Sequence, residues 1–217
     1  MAGLKIHKIL VLSLLLFLVG CETVKLGTLE KLGYEKRDIL TGRIEKAKDA
    51  QQDAKEQFKS ALQEFQSVVK FDGGDLEALY ERLNDEYEQS QQSAEEVSER
   101  IASVEYVAEK LFDEWKEELG QYSSADLRRK SEGQLSKTQR QYKKLMGAMK
   151  KAEKSIAPVL ALFKDHVLFL KHNLNAQAIA SMKNELKVVQ NDVSRLISQM
   201  NQSINEADKF IAQMKKP

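Results

Sequence analysis

The stretch 76-LEALYERLNDEYEQSQQSAEEVSERIASVEYVAEKLFDEWKEEL-119 decides the fold. Read at steps of four and three, it gives Leu76, Tyr80, Leu83, Tyr87, Ser90, Ala94, Val97, Ile101, Val104, Ala108, Leu111, Trp115 and Glu118. Eleven of these thirteen positions are apolar or aromatic. A mean spacing of 3.5 keeps one seam of a helix turned toward a partner helix, as in a coiled coil. A strand would instead alternate at every second residue.

The same spacing extends in both directions. Before it stand Leu40, Ile44, Ala47, Gln51, Ala54, Phe58, Ala61, Phe65 and Val68. After it come Tyr142, Leu145, Met149, Ala152, Ile156, Val159, Phe163 and Leu170. The last segment carries Ile179, Met182, Leu186, Val189, Val193, Leu196 and Met200, then, after a slip of register, Ala207, Phe210 and Met214.

The breaks are chemical. In Phe71-Asp72-Gly73-Gly74-Asp75, glycine ends one helix and Asp75 caps the next. In Gly120-Gln121-Tyr122-Ser123-Ser124, Ser123 and Asp126 stand at capping-box spacing. In His172-Asn173-Leu174-Asn175, two asparagines can cap. The expected fold is all-α: four long helices near 29–71, 76–120, 124–172 and 175–215, each about 60–73 Å long. Short turns between long helices make neighbours antiparallel, giving an elongated bundle or folded-back coiled coil. No Pro/Gly/Ser-rich linker interrupts it, so 29–217 reads as one domain. Composition agrees. With one cysteine, two prolines and ten glycines in 217 residues, disulfide scaffolds, collagen-like repeats and turn-rich sheets are excluded.

The front end, MAGLKIHKILVLSLLLFLVGC, has a basic start in Lys5 and Lys8 and an apolar run from Ile9 to Val19. That run is short for a membrane span, which needs about 20 apolar residues, and has the layout of a secretory signal. Its end, Leu18-Val19-Gly20-Cys21, resembles the lipobox of bacterial lipoproteins. The resemblance implies cleavage before Cys21, a diacylglyceryl group on its thiol and an acylated amino end. Residues 1–20 are then the signal, 21–28 a tether, and the lipid the membrane partner. Three acyl chains exceed the two signals that stable anchoring takes. By the same resemblance, Glu22 where aspartate would retain the protein favours the periplasmic face of the outer membrane.

The net charge of +1 hides a division. Residues 75–119 hold fifteen Asp/Glu and four Lys/Arg, for −11. Residues 127–154 hold ten Lys/Arg and two Glu, for +8. Two readings are open for Arg128, Arg129 and Lys130. They pair across the hairpin with Asp113, Glu114, Glu117 and Glu118, or they meet anionic headgroups near the membrane. A nucleic-acid partner is not expected: no recognition motif is present, and loss of Lys5 and Lys8 leaves a mature charge of −1.

The third segment turns apolar on all sides at Ile156-Ala157-Pro158-Val159-Leu160-Ala161-Leu162-Phe163 and again at Val167-Leu168-Phe169-Leu170. Such a helix is buried all round or offers a surface. Pro158 should kink it. The segment is thus a packing centre or a surface for a partner or hydrophobic ligand, with Ile156, Pro158, Leu160, Leu162, Phe163, Val167 and Phe169 as its candidates.

Two strings carry a family likeness: Phe71-Asp72-Gly73-Gly74-Asp75-Leu76-Glu77-Ala78-Leu79-Tyr80, and Ala157-Pro158-Val159-Leu160 through Phe169-Leu170-Lys171-His172-Asn173-Leu174-Asn175-Ala176. They resemble the bacterial proteins grouped as domain of unknown function 2959. The resemblance implies a single all-helical envelope module and supplies no catalytic residue.

Catalytic, metal and cofactor motifs are absent from the sequence. His7, His166 and His172 form no His-Glu-x-x-His pattern, and Phe163 and Phe169 stand where a di-iron Glu-x-x-His pair needs glutamates. His166 reads as a core histidine or a pH-sensitive group. Trp115 and Phe112 read as core aromatics. The expected function is a non-enzymatic, membrane-anchored scaffold, spacer or adaptor that binds an envelope protein or itself. The alternative is a bundle holding a lipid or hydrophobic ligand at 156–170.

Overall fold

The computed structural model describes residues 36–215. Five helical segments follow one another: α1 (Lys36–Val69), α2 (Leu76–Leu119), α3 (Ala125–Lys154), α4 (Ile156–His172) and α5 (Ala176–Met214). α3 and α4 make one arm, so the four long helices form an up-down antiparallel bundle. α1 lies between α2 and α5, and the α3–α4 arm lies between the same two helices on the opposite side. The 44 residues of α2 make it about 66 Å long. Expected residues 29–35 of the first helix lie outside the described residues.

The heptad positions fill the interior because only they face all three neighbours. Every α1 seam residue from Leu40 to Val68 is buried. Across the diagonal, the Phe58 and Phe163 rings stack with centroids 6.4 Å apart, and Phe65 meets His166 at 4.8 Å. The expected slip in α5 does not occur. Ser203 is fully buried and continues the alternation Leu196, Met200, Ser203, Ala207, Phe210, Met214. Serine reads as polar in a sequence, but its volume is close to alanine and suits a tight layer.

Turn chemistry sets the ends. Gly73 and Gly74 have φ of 143° and 115°, a region that a Cβ makes costly. Asp75 then accepts the Ala78 N–H at 3.1 Å. At the second turn the cap is Ser124, one residue after the expected Ser123, and its hydroxyl accepts the Leu127 N–H at 3.4 Å. Asn175 accepts the N–H groups of Gln177 and Ala178, both at 3.0 Å. The Asn173 amide donates to the Phe169 carbonyl at 2.9 Å.

The third arm breaks at Ser155, three residues before Pro158. Proline has no N–H to give the Lys154 carbonyl, and its ring crowds that same carbonyl. The interruption therefore falls just after Lys154. Ser155 bonds one turn back: its hydroxyl donates to the Ala152 carbonyl at 2.6 Å, and its N–H donates to the Ala152 and Lys151 carbonyls. Its φ and ψ of −79° and −9° stay close to helical, so the arm continues.

Candidate functional site

Cys21, the expected lipid-bearing residue, lies outside the described residues. The sites inside them are α4, the α2–α3 tip and the grooves between arms.

α4 divides its apolar residues between two faces. Ile156, Phe163 and Val167 are buried, together with Val159 and Leu170. These are core groups and cannot form a surface without opening the bundle, which corrects their place among the surface candidates. Leu160 and Leu162 are half-buried. Pro158 is exposed, as are Leu168 and Phe169, at 44% and 41%. The helix looks apolar all round because alanine and proline occupy much of its outer face, where charged residues usually stand. Among the described residues, no helix is long and apolar enough to cross a membrane.

Two grooves flank the Ser155 break. One, of about 580 Å³, runs between α2 and the α3–α4 arm, with Ala94, Ile156, Ala157 and Leu160 against Glu95, Glu99 and Glu153. The other, of about 220 Å³, runs toward α5 past Pro158, Asp192 and Arg195. Both have mixed linings. At this level the interior is filled by Phe58 and Phe163, each at most 1% exposed.

At the other end, residues 121–130 are all exposed. Pairing of Arg128, Arg129 and Lys130 across the hairpin does not occur. Arg129 bonds Asp126 on its own helix. Glu114 pairs with Lys36 at 2.8 Å and Asp113 with Lys116 at 3.0 Å. Among the described residues, one ion pair joins α2 to α3, from Lys150 to Glu105 at 2.9 Å. That hydrogen bond holds the Lys150 ammonium above its usual range.

The tip is closed from inside instead. The Trp115 indole N–H donates to the Ser131 hydroxyl at 2.8 Å. A groove of about 400 Å³ beside it is lined by Arg37, Gln134, Lys137, Gln141 and Gln213. The heptad puts Trp115 in the core, but nothing in the sequence marks its bond, because Ser131 stands across the turn with no motif. Deeper in, the Tyr142 phenol is pushed up to about 12 by burial, and then by the charges of Glu105 and Glu109. Its ring meets Phe112 edge-on at 5.3 Å.

His166 is half-buried against Phe65. Burial lowers its pKa, while Glu185 and Asp165 act in the opposite sense. His172 is exposed, and the expected capping at this end is done by Asn173. Among the described residues, no group of three or more His, Cys, Asp or Glu could hold a metal ion.

One further feature lies in the core. Gln51 and Ser203 are both fully buried, and neither side chain bonds to another group of the described chain. Their polarity is visible in the sequence; that they lack partners depends on distances that sequence does not carry.

No curated protein and no solved structure matches the chain. The family profile described as protein of unknown function DUF2959 matches residues 26–214, and the chain, whose all-helical bundle fills most of that span, belongs to this family.

Proposed function

We propose that the chain is a lipid-anchored helical spacer of the bacterial cell envelope, held at the periplasmic face of the outer membrane through Cys21. It acts there as a scaffold or adaptor and not as an enzyme. The observation that carries this reading is the position of the bundle behind the lipobox-like segment. Lys36, where α1 begins in the described residues, stands fifteen residues after Cys21. The anchor thus feeds one end of an extended rod. Its opposite end, at the turns 70–75 and 173–175, is carried about 50–65 Å away.

The supporting chemistry is simple. A rod needs a sealed seam, and α1 supplies one from Leu40 to Val68. A scaffold also needs surfaces for other proteins, and the exposed Leu168 and Phe169 offer apolar contact near the far end, with Pro158 exposed further back on the same arm.

Metabolic labelling with a palmitate analogue tests the anchor. The wild-type chain takes up label and fractionates with outer membranes, and Cys21→Ser abolishes both. Label retained by Cys21→Ser, or a wild-type chain that takes up none, refutes the reading.

A second reading, a lipid or hydrophobic ligand bound at 156–170, has the 580 Å³ groove beside Ile156 and Leu160 in its favour. Titration with an environment-sensitive fluorescent fatty acid separates it: saturable binding lost in Leu160→Glu supports it, and no binding removes it.

A further inference from the structure

Two neighbouring helices of the bundle turn opposite charge toward solvent at matching heights. On α2, Glu95, Glu99, Glu109 and Asp113 are exposed and recur at helical spacing. On α3, Arg140, Lys143, Lys150 and Lys154 do the same. Little of this charge is neutralised across the arms. Lys150 reaches Glu105, while Glu109 and Asp113 meet lysines of their own helix. Glu95, Glu99, Arg140, Lys143 and Lys154 form no ion pair among the described residues.

The Lys150–Glu105 bond and the Tyr142–Phe112 ring contact fix which residues are level. Stepping along both helices from these contacts, Asp113 falls within two residues of the level of Arg140, Glu109 within three of Lys143, and Glu99 within two of Lys154. Between these pairs, Tyr106 falls within two residues of the level of Gly147. Gly147 is exposed, and a Cβ built on it meets nothing within 4 Å. The single chain therefore gives no reason for glycine in mid-helix, where it weakens the helix. Gly133 stands two heptads earlier in the same surroundings. Bare backbone at such positions lets another helix approach closely.

We propose that this α2–α3 face binds a second copy of the chain, the two bundles lying side by side and parallel about a two-fold axis along their length. Such an axis preserves height and sets α2 of each copy against α3 of the other. Asp113, Glu109 and Glu99 then oppose Arg140, Lys143 and Lys154 of the partner subunit, and Tyr106 opposes the bare backbone at Gly147 of the partner subunit. A two-fold axis across the helices would stack α2 on α2 and α3 on α3, like charge on like. Charge thus selects the parallel arrangement, as complementary faces do in register selection. The inference rests on the bundle alone and not on lipid attachment.

Sedimentation equilibrium of the full chain in a density-matched non-ionic detergent tests it, with circular dichroism melts to confirm folding. One variant reverses the acidic face (Glu99→Lys, Glu109→Lys, Asp113→Lys), and another the basic face (Arg140→Glu, Lys143→Glu, Lys154→Glu). The wild type is expected to be dimeric and to weaken about tenfold or more as salt rises through the range that screens exposed charge. Each variant alone is expected to be monomeric, and their equimolar mixture to dimerise again. Gly147→Leu keeps the test valid should a triple reversal unfold: it raises the melting temperature of the single chain and weakens the dimer. A monomeric wild type overturns the proposal and leaves these faces to an unlike partner. Reversed variants that self-associate like the wild type, a mixture that stays monomeric, or a Gly147→Leu dimer of unchanged strength overturn it as well.

Discussion

α1 and α3 belong to one bundle, yet they use their residues in opposite ways. α1 buries thirteen of 34 residues and α3 six of 30, so one is a core element and the other largely a surface element. The cause is neighbours rather than helix propensity. α1 runs between α2 and α5 along its length, whereas α3 begins with six exposed residues beyond the Trp115–Ser131 contact. Where three helices converge, the heptad positions are almost all apolar, with Gln51 the exception on α1. Where its first turns extend beyond those neighbours and its outer face meets solvent, a helix can carry ten cations and two glycines and still fold.

The sharpest way to break this contrast is truncation. Phe58→Ala removes a fully buried ring stacked on Phe163 and should cost about 3–5 kcal/mol, against less than about 0.5 kcal/mol for Leu127→Ala at the exposed start of α3. Chemical denaturation of both variants checks it, and equal losses would erase the distinction. Gln51→Leu tests the same seam from the other side. The Gln51 amide is buried without a partner, so an apolar side chain of similar size should raise stability by about 1–3 kcal/mol. Loss of stability would mean that the polar layer is structurally required. On α3, Gly133→Ala adds a methyl group into open space and should gain about 1 kcal/mol in a thermal melt of the single chain.

The smallest effect concerns His166, which joins the two diagonal arms. Burial depresses its folded pKa below the ordinary 6.5. Above that value neither state is protonated and the contact is fully stabilising. As pH falls below it, the unfolded chain gains a proton that the folded chain resists, so stability declines until the folded value is passed. Melting temperatures between about pH 7 and pH 5 should therefore fall more steeply for the wild type than for His166→Gln. Parallel slopes would remove this role.

Much of the fold was legible because burial in a bundle follows a period of 3.5, and the sequence keeps that period over long stretches of each of its four segments between Leu40 and Met214. The exceptions have physical causes. Pro158 announces a break, but the group it disables is the Lys154 carbonyl one turn earlier, so the break falls at Ser155. Ser203 looks like a slip because a hydroxyl reads as polar, although its small volume fits the layer. Opposite charges on adjacent arms suggested pairing. However, side chains leave a helix in fixed directions, and those of Arg128 and Lys130 find no acidic partner on α2. For α4, composition showed an apolar segment but not which residues face inward; that depends on phase against the seam, which Phe163 and Leu170 set.

The claim on which the rest depends is that α3 and α4 remain one arm despite Ser155 and Pro158, making a single extended rod. Pulsed electron–electron resonance tests it with spin labels at Tyr122 and Leu174 in a Cys21→Ser chain, diluted into unlabelled protein. A through-going arm of 30 and 17 helical residues predicts a single distance near 70 Å, at about 1.5 Å per residue. A distribution centred below about 50 Å would mean that the arm folds back at Ser155, and would contradict the rod.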